Sequence, residues 1–144
     1  MTKRYNKIIA VLFVFYLAVV LRITVFRSTF TLQHLCQNGK IVLTIFESYR
    51  SLLRQGDWFS FTYLFGGNII WFIPFGMYLQ YSGKTKNLLY TALWGFLFSL
   101  LIETLQYVFG TGFSELDDLI LNTFGVWIGA VLVRIRILKT DRER

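Results

Sequence analysis

The stretch LLYTALWGFLFSLLIETLQYVF, Leu88 to Phe109, contains one acid, no base and no proline. As an α-helix it would rise about 33 Å at 1.5 Å per residue, against a hydrocarbon core about 30 Å thick. A helix satisfies its own backbone hydrogen bonds in lipid, so the solvent overrides the β-propensity of its aromatic residues. The stretch therefore reads as a transmembrane helix. Three others meet the same length: Ile8 to Phe26, Phe59 to Tyr81 and Leu119 to Leu138. The whole chain has 144 residues, 55% of them hydrophobic and 19% aromatic, which suits one domain but is too apolar for an ordinary soluble one. The expected fold class is an all-α integral membrane protein, a four-transmembrane-helix bundle formed by residues 1–144 as a single domain. No repeat, low-complexity run or proline-rich linker divides it.

Charge sets the topology. The formal net charge is +7, and the basic residues gather at the ends of the apolar spans rather than on a soluble face. Lys3, Arg4 and Lys7 precede span one, Lys84 and Lys86 separate spans two and three, and Arg134, Arg136, Lys139, Arg142 and Arg144 close the chain. The positive-inside bias then predicts a multi-pass cell-membrane protein with cytoplasmic N- and C-termini, and no nucleic-acid partner. Arg27, Lys40, Arg50, Arg54 and the acids Glu115, Asp117 and Asp118 fall on the opposite side. Span one has the basic and apolar regions of a secretory signal, but Arg22, Thr24 and Arg27 follow it in place of a small-residue cleavage site, so a retained anchor is expected. Cys36 and His34 are each alone in the sequence, which argues against an intrachain disulfide and a histidine metal site. No metal or cofactor is expected.

Between spans one and two, Ile41, Ile45, Tyr49 and Leu52 recur at helical spacing, with Glu47, Arg50 and Arg54 off that face. The pattern predicts an interfacial amphipathic helix lying on the outer membrane surface, or equally one capping the bundle, ended by Gln55, Gly56 and Asp57. Gly110 and Gly112 suit a tight connection between spans three and four, with Ser114 as N-cap of the last helix.

Polar residues within the spans form a pattern. Glu103 would lie about 9 Å below the outer boundary, where a carboxylate needs a partner, a proton or a wet recess. Ser99, Glu103 and Gln106 share one helical face, and Asp118, Asn122, Gly125 and Gly129 repeat the pattern on span four. Spans three and four are expected to be antiparallel neighbours, so the two stripes should meet near the outer leaflet. Gly125 and Gly129 are a small-xxx-small pair suited to close packing. In span two, Asn68 is the polar member, and Pro74 crowds the Ile70 carbonyl and predicts a kink. Arg22 can pair with Glu103, bind an anionic lipid phosphate, or snorkel to the interface. The candidate ligand-binding set is Arg22, Asn68, Ser99, Glu103, Gln106, Asp118 and Asn122, with Glu103 and Asp118 the candidate catalytic pair.

Asn68-Ile-Ile-Trp-Phe-Ile-Pro74-Phe75-Gly76, then Glu103-x-x-Gln106, then Asp118-x-x-x-Asn122-Thr123-x-Gly125 resemble the VanZ-like family, from about Asn68 to Gly129. Tyr16-Leu17 and Phe26-Arg27 add a weaker likeness. The chain departs from the family pattern at Ile45, where members often have proline, at Gly112, where many have arginine, and at Glu115, where many have aspartate. The resemblance implies a bacterial membrane protein associated with lowered susceptibility to lipoglycopeptide antibiotics such as teicoplanin. Its expected partners are membrane lipids and a lipid-linked cell-wall precursor or the antibiotic itself, with self-association open.

Three functions compete. The first is a binding or resistance factor using an outer-leaflet polar pocket. The second is an envelope-lipid enzyme in which Glu103 and Asp118 act as acid and base, or Glu115 and Asp117 help hold a divalent cation. No second His, Cys-His pair or HExxH accompanies those acids. The third is a small transporter with Glu103 as a proton site, which four spans and no internal symmetry argue against.

Overall fold

The computed structural model describes the backbone of residues 3–27, 30–32, 35–36, 39–83 and 87–142, with side chains from Asn6 to Thr140 among them. His34, Lys84, Lys86 and Arg144, and the side chains of Lys3, Arg4 and Arg142, lie outside the described residues. In chain order the elements are α1 (Lys3–Thr24), β1 (Lys40–Val42), α2 (Glu47–Arg54), α3 (Trp58–Phe61), a π-helical turn (Thr62–Gly66), α4 (Gly67–Tyr81), α5 (Leu88–Phe109), β2 (Phe113–Glu115) and α6 (Leu116–Arg142).

Three helices are long and apolar enough to cross a membrane: Asn6–Thr24, Leu88–Phe109 and Leu116–Thr140. Their outward faces carry exposed Phe15, Leu89, Trp94, Phe124 and Trp127, a surface suited to hydrocarbon rather than water. The stretch expected as span two is built differently, because α3, the π turn and α4 succeed one another without a break. Gly66 and Gly67, both poor helix formers, stand where the π turn gives way to α4. The irregularity thus lies upstream of Pro74, which sits within α4.

The chain divides into two compact units, Met1–Ile41 with Leu101–Ser114, and Val42–Leu100 with Glu115–Arg144. In the second unit α4 packs on α6 through glycine. A Cβ on Gly125 would strike the Ile69 carbonyl, and one on Gly129 would strike the Ile73 carbonyl and stand 3.0 Å from the Met77 nitrogen. The contact advances in the same direction along both helices, so α4 and α6 run parallel. Gly76 on α4 closes the seam from the other side, against the Val126 carbonyl. Lipid offers helices no hydrophobic reason to associate, so close van der Waals contact through small residues has to serve instead. Phe72, Phe75, Leu121, Val126 and Ala130 fill the space around the seam, and the Phe75 ring stacks on Phe98 of α5 at 4.8 Å. Ser99 meets Asn122 while Gly95 meets Val126, so this part of α5 runs antiparallel to α6, as expected.

The first unit joins α1 to the end of α5. Val20, Val25 and Ile102 are buried, and the rings of Phe26, Phe30 and Phe109 meet at 5.0 to 6.1 Å. The Cys36 N–H donates to the Val108 carbonyl at 2.8 Å, and the Gly39 backbone lies against the Tyr107 backbone. β1 and β2 pair as a two-stranded sheet, with the Lys40 ammonium 5.6 Å from the Phe113 ring centre.

Two expectations for the connecting segments are corrected. The helical spacing from Ile41 to Leu52 extends beyond the actual helix: Ile41 is in β1, Ile45 is in a bend, and only Tyr49 and Leu52 stand on α2. Strand pairing with β2 claims the backbone of Ile41, which a local helical pattern cannot reveal. Ser114 is not an N-cap but lies within β2, so the chain enters α6 straight from a strand. Gly110 does end α5 as a turn residue, at φ 60°, which glycine adopts without strain.

Gly125→Ala should lower the stability of the detergent-solubilised protein by about 1–3 kcal/mol, because its methyl meets backbone. Gly66→Ala, with no atom within 4 Å of its new Cβ, should leave the thermal midpoint nearly unchanged. Equal midpoints for the two variants would contradict the glycine seam.

Candidate functional site

α6 opens on Leu116-Asp117-Asp118, and two acids in a first turn complement the positive end of the helix dipole. Asp117 does more than that. Only 1% of it is exposed, and both its carboxylate oxygens accept the Phe46 N–H, at 2.8 and 3.0 Å. Phe46 stands at the start of α2 with φ 56° and ψ 19°, a left-handed conformation that disfavours a bulky residue by about 1–2 kcal/mol. The charge-assisted bond to Asp117 offsets that strain, as do ring contacts to Tyr49 at 6.0 Å and Phe65 at 6.3 Å.

The next acid gathers three elements. Asn68, in the first turn of α4, donates through Nδ2 to Asp118 Oδ1 and to the Tyr49 hydroxyl, the latter at 3.2 Å. The Tyr49 hydroxyl in turn donates to Asp118 Oδ1 at 3.4 Å. Tyr49 itself is buried on α2, edge-on to Phe61 and Phe65 at 6.2 and 5.4 Å. Burial first, and then the negative charge of Asp118, push its phenol well above the ordinary range, so the hydroxyl stays a donor. Glu115, in β2, is pushed up from its ordinary 4.5 mainly by burial and secondarily by Asp117.

One turn further along α6, Asn122 donates through Nδ2 to Ser99 Oγ at 2.9 Å. It is 3% exposed, yet its Oδ1 makes no hydrogen bond among the described residues. The remaining candidates belong to the first unit. Glu103 and Gln106 are buried on α5, with Gln106 Nε2 donating to the Thr24 carbonyl at 3.4 Å while its Oε1 has no hydrogen-bond partner among the described residues. Arg22 is exposed and donates to the Phe26 carbonyl. Arg27 donates to the Thr24 carbonyl at 3.1 Å, and its guanidinium stands 3.7 Å from the point a Cβ on Gly112 would occupy.

The structure thus brings Asn68 to Asp118 and Ser99 to Asn122 within one unit, and assigns Arg22, Glu103 and Gln106 to the other. Sequence reasoning missed Tyr49 as a polar member of the group, and the bond by which Asp117 holds the Phe46 turn. A tyrosine on an otherwise apolar helical face was the available signal, since a buried hydroxyl needs a partner. Among the described residues no group of three His, Cys, Asp or Glu side chains is placed to hold a metal ion. The arrangement is one of positioned hydrogen-bond acceptors.

Asp117→Asn turns part of an acceptor into a donor facing the Phe46 N–H, and should speed hydrogen exchange across Phe46 and the start of α2 by about tenfold or more. Unchanged exchange there would remove Asp117 as the holder of that turn. Glu115 keeps its proton more firmly when folded than when unfolded, so its contribution is fully present below the ordinary 4.5 and is lost as pH rises through the higher folded value. Glu115→Gln should therefore raise the thermal midpoint at pH 7 and leave it unaltered at pH 3; a midpoint lowered at pH 7 would reverse the sign.

A family model described as VanZ/LLP1 matches residues 13–138. Protein VanZ of Enterococcus faecium is 35% identical over 65 residues, which are 45% of this chain. The chain spans about 40% of the length of that curated relative. No solved structure matches. With the family model covering all three apolar helices over most of their length and the whole Tyr49–Asn68–Asp118 group, the chain belongs to the VanZ/LLP1 family.

Proposed function

We propose that the chain crosses the membrane four times with both termini cytoplasmic, and that the group around Asp118 stands at the outer-leaflet end of α6. There it binds a lipid-linked envelope component or a lipoglycopeptide antibiotic and contributes to lowered teicoplanin susceptibility. Arg22, Glu103 and Gln106 enter the proposal as a further ligand-contacting set.

Support for the fourth crossing comes from α4, which runs parallel beside the apolar α6. With α3 and the π turn it forms a helical run from Trp58 to Tyr81, about 36 Å at 1.5 Å per residue. Orientation is supported by Lys7 before span one and by exposed Arg134, Arg136 and Lys139 near the end of α6. The interfacial role of α2 is carried by its exposed Glu47, Arg50 and Arg54, next to exposed Trp58, Phe59 and Tyr63.

The observation that carries the function is the hydrogen-bonded meeting of Tyr49, Asn68 and Asp118. Polar groups brought into a membrane protein from separate elements are expensive to desolvate and serve function by default. Teicoplanin comes from the family resemblance rather than from this geometry. In a susceptible host, Asn68→Ala, Glu103→Gln and Asn122→Ala should each reduce teicoplanin tolerance toward the vector-only level. Membrane abundance is matched by immunoblot, and undiminished tolerance at equal abundance would sink the reading.

A further inference from the structure

We propose that the site at the start of α6 takes the ammonium group of a primary amine and rejects phosphate; this rests on the binding role proposed above. The inference starts from two acceptors left open on one face of α6. Asp118 uses Oδ1 for both Asn68 and Tyr49, and its Oδ2 has no hydrogen bond among the described residues. Asn122, one turn deeper at i+4, is 3% exposed with its Oδ1 unmatched. Helical side chains tilt toward the N-terminus of their helix, so the Asn122 amide leans toward Asp118. A buried polar atom without a partner costs on the order of 1–3 kcal/mol, a penalty that a bound donor would remove.

Charge then selects among donors. Neither Asp117 nor Asp118 forms an ion pair with a described cation; the ion pairs within this unit's α2 belong to exposed Glu47, with Arg50 and Arg54. Asp117 spends both oxygens on the Phe46 N–H and adds a second carboxylate, without a cation partner among the described residues, beside the site. Asp118 is half-buried, so its open oxygen can be reached. Two acceptors beside carboxylates that lack a cation partner among the described residues suit an ammonium with several N–H donors, whereas a phosphate would bring acceptors to acceptors and like charge to like charge.

The amine can belong to a lipid headgroup or to a soluble compound, and native mass spectrometry of the full chain in detergent separates the sources. One arm compares phosphatidylethanolamine with N-acetyl-phosphatidylethanolamine, which keeps the phosphate and blocks the amine. The other compares glucosamine with N-acetylglucosamine. Retention of the free amine about tenfold or more above its acetylated twin in either arm is expected, and Asp118→Asn should abolish the difference. Asn122→Ala should reduce it, and serves alone if Asp118→Asn fails to fold. Equal retention of amine and acetylated probes in both arms, or a preference that survives both substitutions, would overturn the inference. Amine selectivity without any effect on teicoplanin tolerance would remove the antibiotic role and leave this site standing. Loss of tolerance without amine selectivity would do the reverse.

Discussion

The approach of α4 to α6 without side chains between them is the contact on which the larger unit depends. Gly125 and Gly129 lie under the Ile69 and Ile73 carbonyls, and Gly76 lies under that of Val126. In lipid, such closeness supplies the attraction that water would otherwise provide. It also fixes register, because a glycine seam fits only where each gap meets a backbone bulge. Asn68 immediately precedes Ile69, so the seam that seats Ile69 also delivers the Asn68 amide to Asp118. Packing and polar site are consequences of one register.

Around that register the polar group is closed from outside by α2. Asp117 holds the backbone of Phe46 in a conformation it would not choose alone, and the turn so fixed sends Tyr49 inward. The rings of Phe46, Phe61 and Phe65 pack around Tyr49, which is 5% exposed. Low dielectric strengthens every hydrogen bond made there and raises the cost of any left unmade. That asymmetry is why the open atoms of Asp118 and Asn122 carry more meaning than the satisfied ones.

The π turn at Thr62–Gly66 belongs to the same device. Such turns insert extra backbone into a helix and rotate its downstream residues, and they recur at functional sites. Here Gly66 and Gly67 mark its end and Asn68 comes next, so the rotation sets the direction of the one polar side chain in the first turn of α4. Phe59, Tyr63 and Ile70 on the same run are exposed.

The sequence by itself determined the membrane character and the three apolar helices, since the length and composition of Ile8 to Phe26, Leu88 to Phe109 and Leu119 to Leu138 are dictated by the solvent alone. It also determined the polar stripe on α6, because i, i+4 spacing is a property of any helix, and the family, because motif order is linear. It could not determine that Ile41 is a strand residue, that Ser114 precedes a helix without capping it, or that the run toward Tyr81 contains a π turn. Each depends on a partner distant in the chain or on how neighbouring helices settle. Nor could it name the partners of the two acids that open α6: Asp117 meets Phe46 and Asp118 meets Tyr49 across separations of 71 and 69 residues. Local pattern decides which residues share a face of one element, but only packing decides which faces meet, and hydrogen-bond partners depend on that second choice.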